Sequence, residues 1–254
     1  MSRVRYYRDL VGVLLVKELK LRYKLTVLGY AWSVLHPLAF ALVYFLVINR
    51  VMRVGGVDFL SILVTMFPWQ WFQNSVTASN NFFLGNCTLI KKVCFPRSTL
   101  VLAGVLNDAV HFVASIPVIV IFMLLLGTAP AWAWLIQIPL LVAIQLAFTL
   151  GLALAVGTTN LFFRDLERMT AIVTMLWFFA TPVLFRTEML VPAGLEWMLY
   201  VNPMAPLIEC WRRVFLDGVL PLRLAALAAA WAALAAWAGA RIYRHHEWRF
   251  AEIV

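Results

Sequence analysis

The sequence predicts an all-α integral membrane protein with six transmembrane helices, an N-terminal interfacial amphipathic helix, and short periplasmic re-entrant helices between spans five and six. Three observations carry that expectation. The chain of 254 residues is 64% hydrophobic and only 13% charged, with a mean hydropathy of +0.88, far from a soluble domain. Its apolar residues fall into six runs, 27–48, 59–83, 100–126, 133–158, 169–186 and 221–243. A helix of about 20 residues crosses the ~30 Å hydrocarbon core. These runs are too long and too continuously apolar for the alternating ten-residue strands of a barrel, the other structure that satisfies its backbone in lipid. Finally, fifteen of the 21 Lys and Arg residues lie in 1–26, 84–99, 159–168 and 241–254, and six in 49–58 and 186–223. Excess positive charge marks cytoplasmic segments, so both termini are expected inside. The net charge of +9 is a topology signal spread along membrane edges, and no nucleic-acid partner is expected.

Segment 1–26 carries no compact apolar core with a small-residue cleavage site, so no removed signal is expected. Lys17, Lys20 and Lys24 share a helical face, and Glu18 precedes Arg22 at the favourable four-residue spacing. Leu19, Leu21, Tyr23 and Leu25 also alternate as a strand would. With no partner strand in sight, an interfacial helix on the cytoplasmic surface is the better fit. Lys20, Arg22 and Lys24 suit an anionic lipid surface, each worth on the order of 1 kcal/mol there; they either anchor the chain or attract a charged head group.

Span one places Trp32, His36, Phe40 and Tyr44 at four-residue intervals, one face of a helix. Span two begins apolar and ends as QWFQNSVTASNNFF, where Gln70, Asn74, Thr77 and Asn81 form a polar stripe. Such groups need partners in a membrane, so they face other helices or a wet passage. The 84–99 segment is a short cytoplasmic loop. Cys87 and Cys94 within it lie seven apart, and Cys210 stands alone, so neither a zinc site nor a disulfide framework follows. Asp108, near His111, lies a third of the way into span three. A carboxylate there costs roughly 2.5–3.5 kcal/mol without a partner. Either Arg164 pairs with it or it relays protons.

Span five repeats the mixed pattern with Thr170, Thr174, Trp177 and Thr181, ending at Pro182. Aromatic rings with hydroxyls or imidazole on one face suit a sugar, whose C–H faces stack while its hydroxyls bond. Segment 187–220 mixes prolines with amphipathic pieces and is expected outside, with short helices dipping into the interface. The last span is rich in Ala and Trp, which favours a helix and says nothing about substrate. His245 and His246 fall in a basic tail, 244–254, read as surface. Nothing resembles a phosphate-binding Gly-Lys-Ser/Thr loop, an H-E-x-x-H helix or a nucleophile elbow. An enzyme is therefore not expected; the chain moves something.

The pieces LKLRYKLTVLGYAWSVLHPL (19–38), FPWQWFQNS (67–75), LIKKVCFPR (89–97), NLFFRDLERM (160–169) and YVNPMAPLIECWRRVF (200–215), in that order and spacing, resemble the membrane subunits of ABC exporters for lipid-linked polysaccharides, the O-antigen, capsule and teichoic-acid permeases. The resemblance implies a homodimer docked on two copies of a cytoplasmic ATPase, which would hold ATP and Mg, with no cofactor on this chain. It implies export of an undecaprenyl-diphosphate-linked polysaccharide, most simply O-antigen, across the bacterial inner membrane. Spans one and five would line the sugar passage, which assigns Trp32, His36, Phe40, Tyr44, Thr174, Trp177 and Thr181 to the pathway. Lys20, Arg22 and Lys24 would sit at its cytoplasmic mouth. Lys91, Lys92, Pro96, Arg97, Arg164 and Asp165 would receive the ATPase's movement. The segment 187–217, with Asn202, Pro203, Trp211 and Arg212, would be a periplasmic gate. Two other transport readings stay open: an ABC exporter of a small hydrophobic compound, and a proton-coupled carrier built on Asp108. No internal repeat supports the carrier. A membrane glycosyl- or phosphotransferase fits least, because it needs several carboxylates at a membrane edge.

Overall fold

The computed structural model describes residues 3–22, 29–53 and 57–250. Every regular element among them is helical: α1 (Arg3–Arg22), α2 (Trp32–Leu46), α3 (Phe59–Phe82), α4 (Cys87–Lys92), α5 (Ser98–Leu125), α6 (Trp134–Asn160), α7 (Leu166–Ala180), α8 (Met198–Val201), α9 (Met204–Asp217) and α10 (Leu222–His246). Residues 17–22 are helical, which resolves the helix-or-strand ambiguity on the helical side. Lys24 lies outside the described residues, and Arg22 is described only as the end of α1.

Among the described residues, four helices are long and apolar enough to cross a membrane: Trp32–Val51, Ser98–Leu125, Trp134–Asn160 and Leu222–Arg249. The other two expected spans differ for physical reasons. α3 has the length, but its second half carries the polar stripe. α7 has 15 residues, roughly 22 Å at 1.5 Å per residue. It begins three residues before the expected 169 and stops at Ala180, because Pro182 excludes the α conformation from Thr181, whose backbone is extended (φ −103°, ψ 141°).

α3 is the central helix and packs against α2, α5, α6, α7 and α9. Pro68 removes one backbone donor from the helix, and its own carbonyl is where a neighbouring helix attaches. Gln145 of α6 donates to the Pro68 carbonyl at 2.7 Å and accepts from the Trp211 indole of α9 at 2.6 Å. All three helices are thus joined by one buried polar chain.

α6 and α10 meet backbone to backbone. Ala225, Ala228, Ala232, Ala235 and Gly239 follow one another at three- and four-residue steps along α10. A Cβ on Gly239 would lie 2.0 Å from the Gly151 carbonyl oxygen, and one on Gly151 would lie 2.3 Å from the Ala235 backbone. Small residues let helices approach closely where lipid offers no hydrophobic drive for association. The alanines that said nothing about substrate are the packing surface of this pair.

One end of the bundle collects α1, α4, the start of α5, the end of α6 and the end of α10. α1 lies against α5 and is tied to the 84–99 loop by Lys17, whose ammonium donates to Asn86 Oδ1 at 2.5 Å. The opposite end carries α8, α9 and the segment 181–203. There Gly218 ends α9 in the left-handed region (φ 68°), and the Gly218 and Val219 N–H groups bond back to Val214 and Arg213.

Candidate functional site

A groove of about 410 Å³ runs between α2 and α7 with α3 as its floor, within the size range of ligand pockets. From α2 come His36, Phe40 and Tyr44, the face expected from the four-residue spacing. Their rings form a ladder: His36 to Phe40 4.7 Å, Phe40 to Tyr44 6.1 Å, and Tyr44 across to Phe178 of α7 5.7 Å. Trp69 of α3 lies 5.6 Å from the same Phe178 ring. The floor adds amide groups. Gln70 Nε2 and His36 Nδ1 are 3.0 Å apart, the Trp69 indole donates to Gln73 Oε1 at 3.0 Å, and Asn74 lines the wall. Stacking surface and hydrogen-bonding groups therefore share one groove.

The His36–Gln70 pair separates this groove from a second cleft of about 350 Å³ between α2, α3 and α5. Trp32, Trp71, Asn74, Asp108 and His111 line it. Asp108 is buried, and the Ser75 hydroxyl donates to its Oδ2 at 2.8 Å. The expected pairing with Arg164 is corrected: Arg164 is exposed in the turn between α6 and α7, where it lines a separate cleft with Asp165, Phe162 and Phe163. Near the middle of a helix, a carboxylate is more cheaply satisfied by a neighbouring helix than by an arginine at the bundle's end.

The structure turns the expected stripe of α7 the other way. Thr174 and Thr181 are buried, and their hydroxyls bond to the Thr170 and Trp177 carbonyls one turn back, both at 2.8 Å. Trp177 packs edge-on against Phe72 at 5.2 Å and donates to Asn202 Oδ1 at 2.7 Å. These three side chains knit α7 into the bundle, while Met175, Phe178 and Phe179 supply its groove face. A threonine hydroxyl that bonds the preceding turn of its own helix is no guide to a wet face.

Asn202 and Arg212 are held by the end of α7 and the segment that follows it. Asn202 accepts from Trp177 and from the Met204 N–H (3.0 Å) and donates to the Ala180 carbonyl and Thr181 hydroxyl, each at 3.0 Å. Pro203 opens α9 immediately after it. Arg212, 4% exposed, pairs with Glu209 at 2.5 Å and donates to the Pro182 and Phe185 carbonyls. Burial lowers the Arg212 guanidinium from its ordinary value, and Glu209 beside it opposes that shift. Arg213 bridges Glu209, Glu188 and Asp217, and Arg186 pairs with Asp58 at 2.5 Å. Trp211 is fully buried against Phe112 and Phe215.

At the other end, Lys91 and Lys92 are exposed on the last turn of α4. The Pro96 carbonyl accepts from the Thr99 hydroxyl at 2.6 Å, just before α5. Arg97 donates to the Glu247 carbonyl at 2.6 Å. Among the described residues no group of three or more His, Cys, Asp or Glu side chains is placed to hold a metal ion.

The family model for the ABC-2 type transporter matches residues 9–216. The chain belongs to the ABC-2 type transporter family. It is a multi-pass membrane component of a transporter and not itself an enzyme. Two O-antigen export system permease proteins RfbA of Klebsiella pneumoniae are each 40% identical to it over 250 residues, covering 98% of this chain and 96% of the relative. The RfbA protein of Myxococcus xanthus is 34% identical over 252 residues, with the same coverage. The match to the family model takes in the α2–α3–α7 groove, the Asp108 cleft and the charged cluster around Arg212 of this ABC-2 chain, and ends before α10.

Proposed function

We propose that this ABC-2 chain is the transmembrane subunit of an ATP-driven exporter of undecaprenyl-diphosphate-linked polysaccharide, O-antigen in the first instance, across a bacterial inner membrane. The relatives from Klebsiella and Myxococcus support the substrate class by name. The observation that carries the reading is the groove that joins the His36–Phe40–Tyr44–Phe178 ring ladder to the Gln70, Gln73 and Asn74 amides. A polymer must slide, so many weak contacts serve better than one tight site.

In this reading α2, α3, α5, α6, α7 and α10 are six membrane crossings with both termini cytoplasmic. Two copies dock on two ATPase subunits that hold ATP and Mg. Trp32, His36, Phe40 and Tyr44 line the passage, with Phe178 replacing Trp177 as its aromatic counterpart on α7. Lys20, with Arg22 and Lys24, supplies the positive charge that attracts the lipid head group at the mouth. Lys91, Lys92, Arg164 and Asp165, exposed at the same end, meet the ATPase, and Pro96 and Arg97 stand behind them. Closure of the ATPase halves shifts α2 against α7 and widens the groove. The segment 187–217 closes the far end, dipping into the interface as re-entrant helices, with Asn202, Pro203, Trp211 and Arg212 as its fixed hinge.

The test replaces Phe40 and Phe178 together by alanine. Surface O-antigen should fall about tenfold while the ATPase subunit still copurifies in normal amount. Export at the wild-type rate, with both rings gone, would sink the passage assignment.

A further inference from the structure

Arg244, His245, Glu247, Trp248 and Arg249 are exposed, as a surface tail would be, but two rings anchor the stretch from within. Phe250 is fully buried and Tyr243 nearly so. Phe250 sits edge-on to Phe83 at 4.8 Å, beyond the end of α3, and Tyr243 stacks on the same ring at 6.3 Å. The Ser98 N–H donates to the Tyr243 hydroxyl at 3.1 Å, at the end of the 84–99 loop. Arg97 of that loop donates to the Glu247 carbonyl and lies over the Phe250 ring at 5.8 Å. On the other flank, Phe162 in the 159–168 turn packs against His246 at 5.0 Å and lies under Arg249 at 5.2 Å.

Two loops far apart in sequence are therefore gripped by one short segment. Each connects a different pair of helices; both already share the buried cluster of Phe83, Ile90 and Leu161, and the segment adds ring and hydrogen-bond contacts to each. Packed aromatic groups deform little and carry displacement across their contacts. Arg97 is turned toward its own chain, so a partner would feel it only through what it holds.

We propose that residues 243–250 tie the 84–99 loop and the 159–168 turn into one rigid body, with Tyr243 and Phe250 as positioning residues for the coupling of ATP hydrolysis to export. This rests on the ATPase-driven reading above for its coupling role, though not for the tie itself.

Two measurements test it. In the permease–ATPase complex, Phe250→Ala should lower surface O-antigen at least fivefold while ATP turnover by the purified complex stays within twofold. Phe250→Tyr, which keeps the ring, should restore export. In hydrogen exchange of the full-length purified chain, Phe250→Ala should speed exchange at least fivefold in both 84–99 and 159–165, with the core of α3 unchanged. Export and ATP turnover falling together, or faster exchange in 243–250 alone, would overturn the tie. If Phe250→Ala does not accumulate, Tyr243→Phe removes only the hydroxyl bonded to Ser98 and should give the same split at about twofold; a wild-type ratio there also overturns it. Should no ATPase accompany the wild-type chain, the functional reading fails, and the exchange experiment still decides the tie.

Discussion

Asn202 shows how much one side chain can hold. All of its hydrogen-bonding directions are used, two accepting from Trp177 and Met204 and two donating to Ala180 and Thr181. Leaving a buried partner unsatisfied costs about 1–3 kcal/mol. Asn202→Leu orphans several at once, so it should lower the melting temperature in detergent by several degrees. Asn202→Asp keeps the acceptor positions and loses the donors, and should fall between the two. Equal melting of all three proteins would mean that the clamp adds nothing to stability. At this scale the sequence was legible only in part. Trp32, His36, Phe40 and Tyr44 declared their common face by spacing alone. The threonines of α7 misled, because their hydroxyls are satisfied by the preceding turn. Phe178 was hidden by its chemistry: an aromatic among Leu, Trp and Phe neighbours carries no mark of a groove until α3 and α2 are beside it.

At the scale of the element, the α6–α10 pair rests on two glycines. Gly239 and Gly151 face each other with no room for a methyl group on either. Overpacking typically costs about 1–3 kcal/mol and occasionally more, and here the obstruction is backbone, which cannot turn aside. Gly239→Ala is expected to destabilise the chain by at least about 2 kcal/mol, seen as a lower melting temperature and a smaller folded fraction in detergent. Ala233→Leu, on the exposed side of the same helix, should leave both unchanged. A neutral Gly239→Ala would show that the helices can separate without loss. The existence of α10 was plain from its composition, and so were α5 and α6. What composition could not show was the partner, because a stripe of small residues names no neighbour. α7 was legible in outline, but the expected span ran past Pro182 to 186 and left the charged first turn, Leu166–Arg168, in the preceding loop.

For the whole molecule, the uneven distribution of Lys and Arg and the geometry point the same way. α1, the 84–99 loop, the 159–168 turn and the end of α10 gather at one end of the bundle, and these are the segments with most of the cations. The other end holds the ion-paired cluster of Asp58, Arg186, Glu188, Glu209, Arg212 and Arg213, where arginines are matched by carboxylates and carry little topological bias. Two endogenous thiols and one added one report on this arrangement. Cys94 is exposed in the 84–99 loop, whereas Cys210 is fully buried. Without the ATPase subunit, a membrane-impermeant maleimide should label Cys94 in inside-out vesicles and not in intact spheroplasts. Cys210 should stay unlabelled in both. A cysteine placed at the exposed Glu196 should show the reverse pattern from Cys94, reacting in spheroplasts only. Labelling of Cys94 and the Glu196→Cys thiol from the same side would contradict the three crossings, α5, α6 and α7, that lie between the 84–99 loop and the 187–220 segment. Labelling of Cys94 from outside, with Glu196→Cys labelled from inside, would invert the molecule and move the cationic end away from any cytoplasmic ATPase.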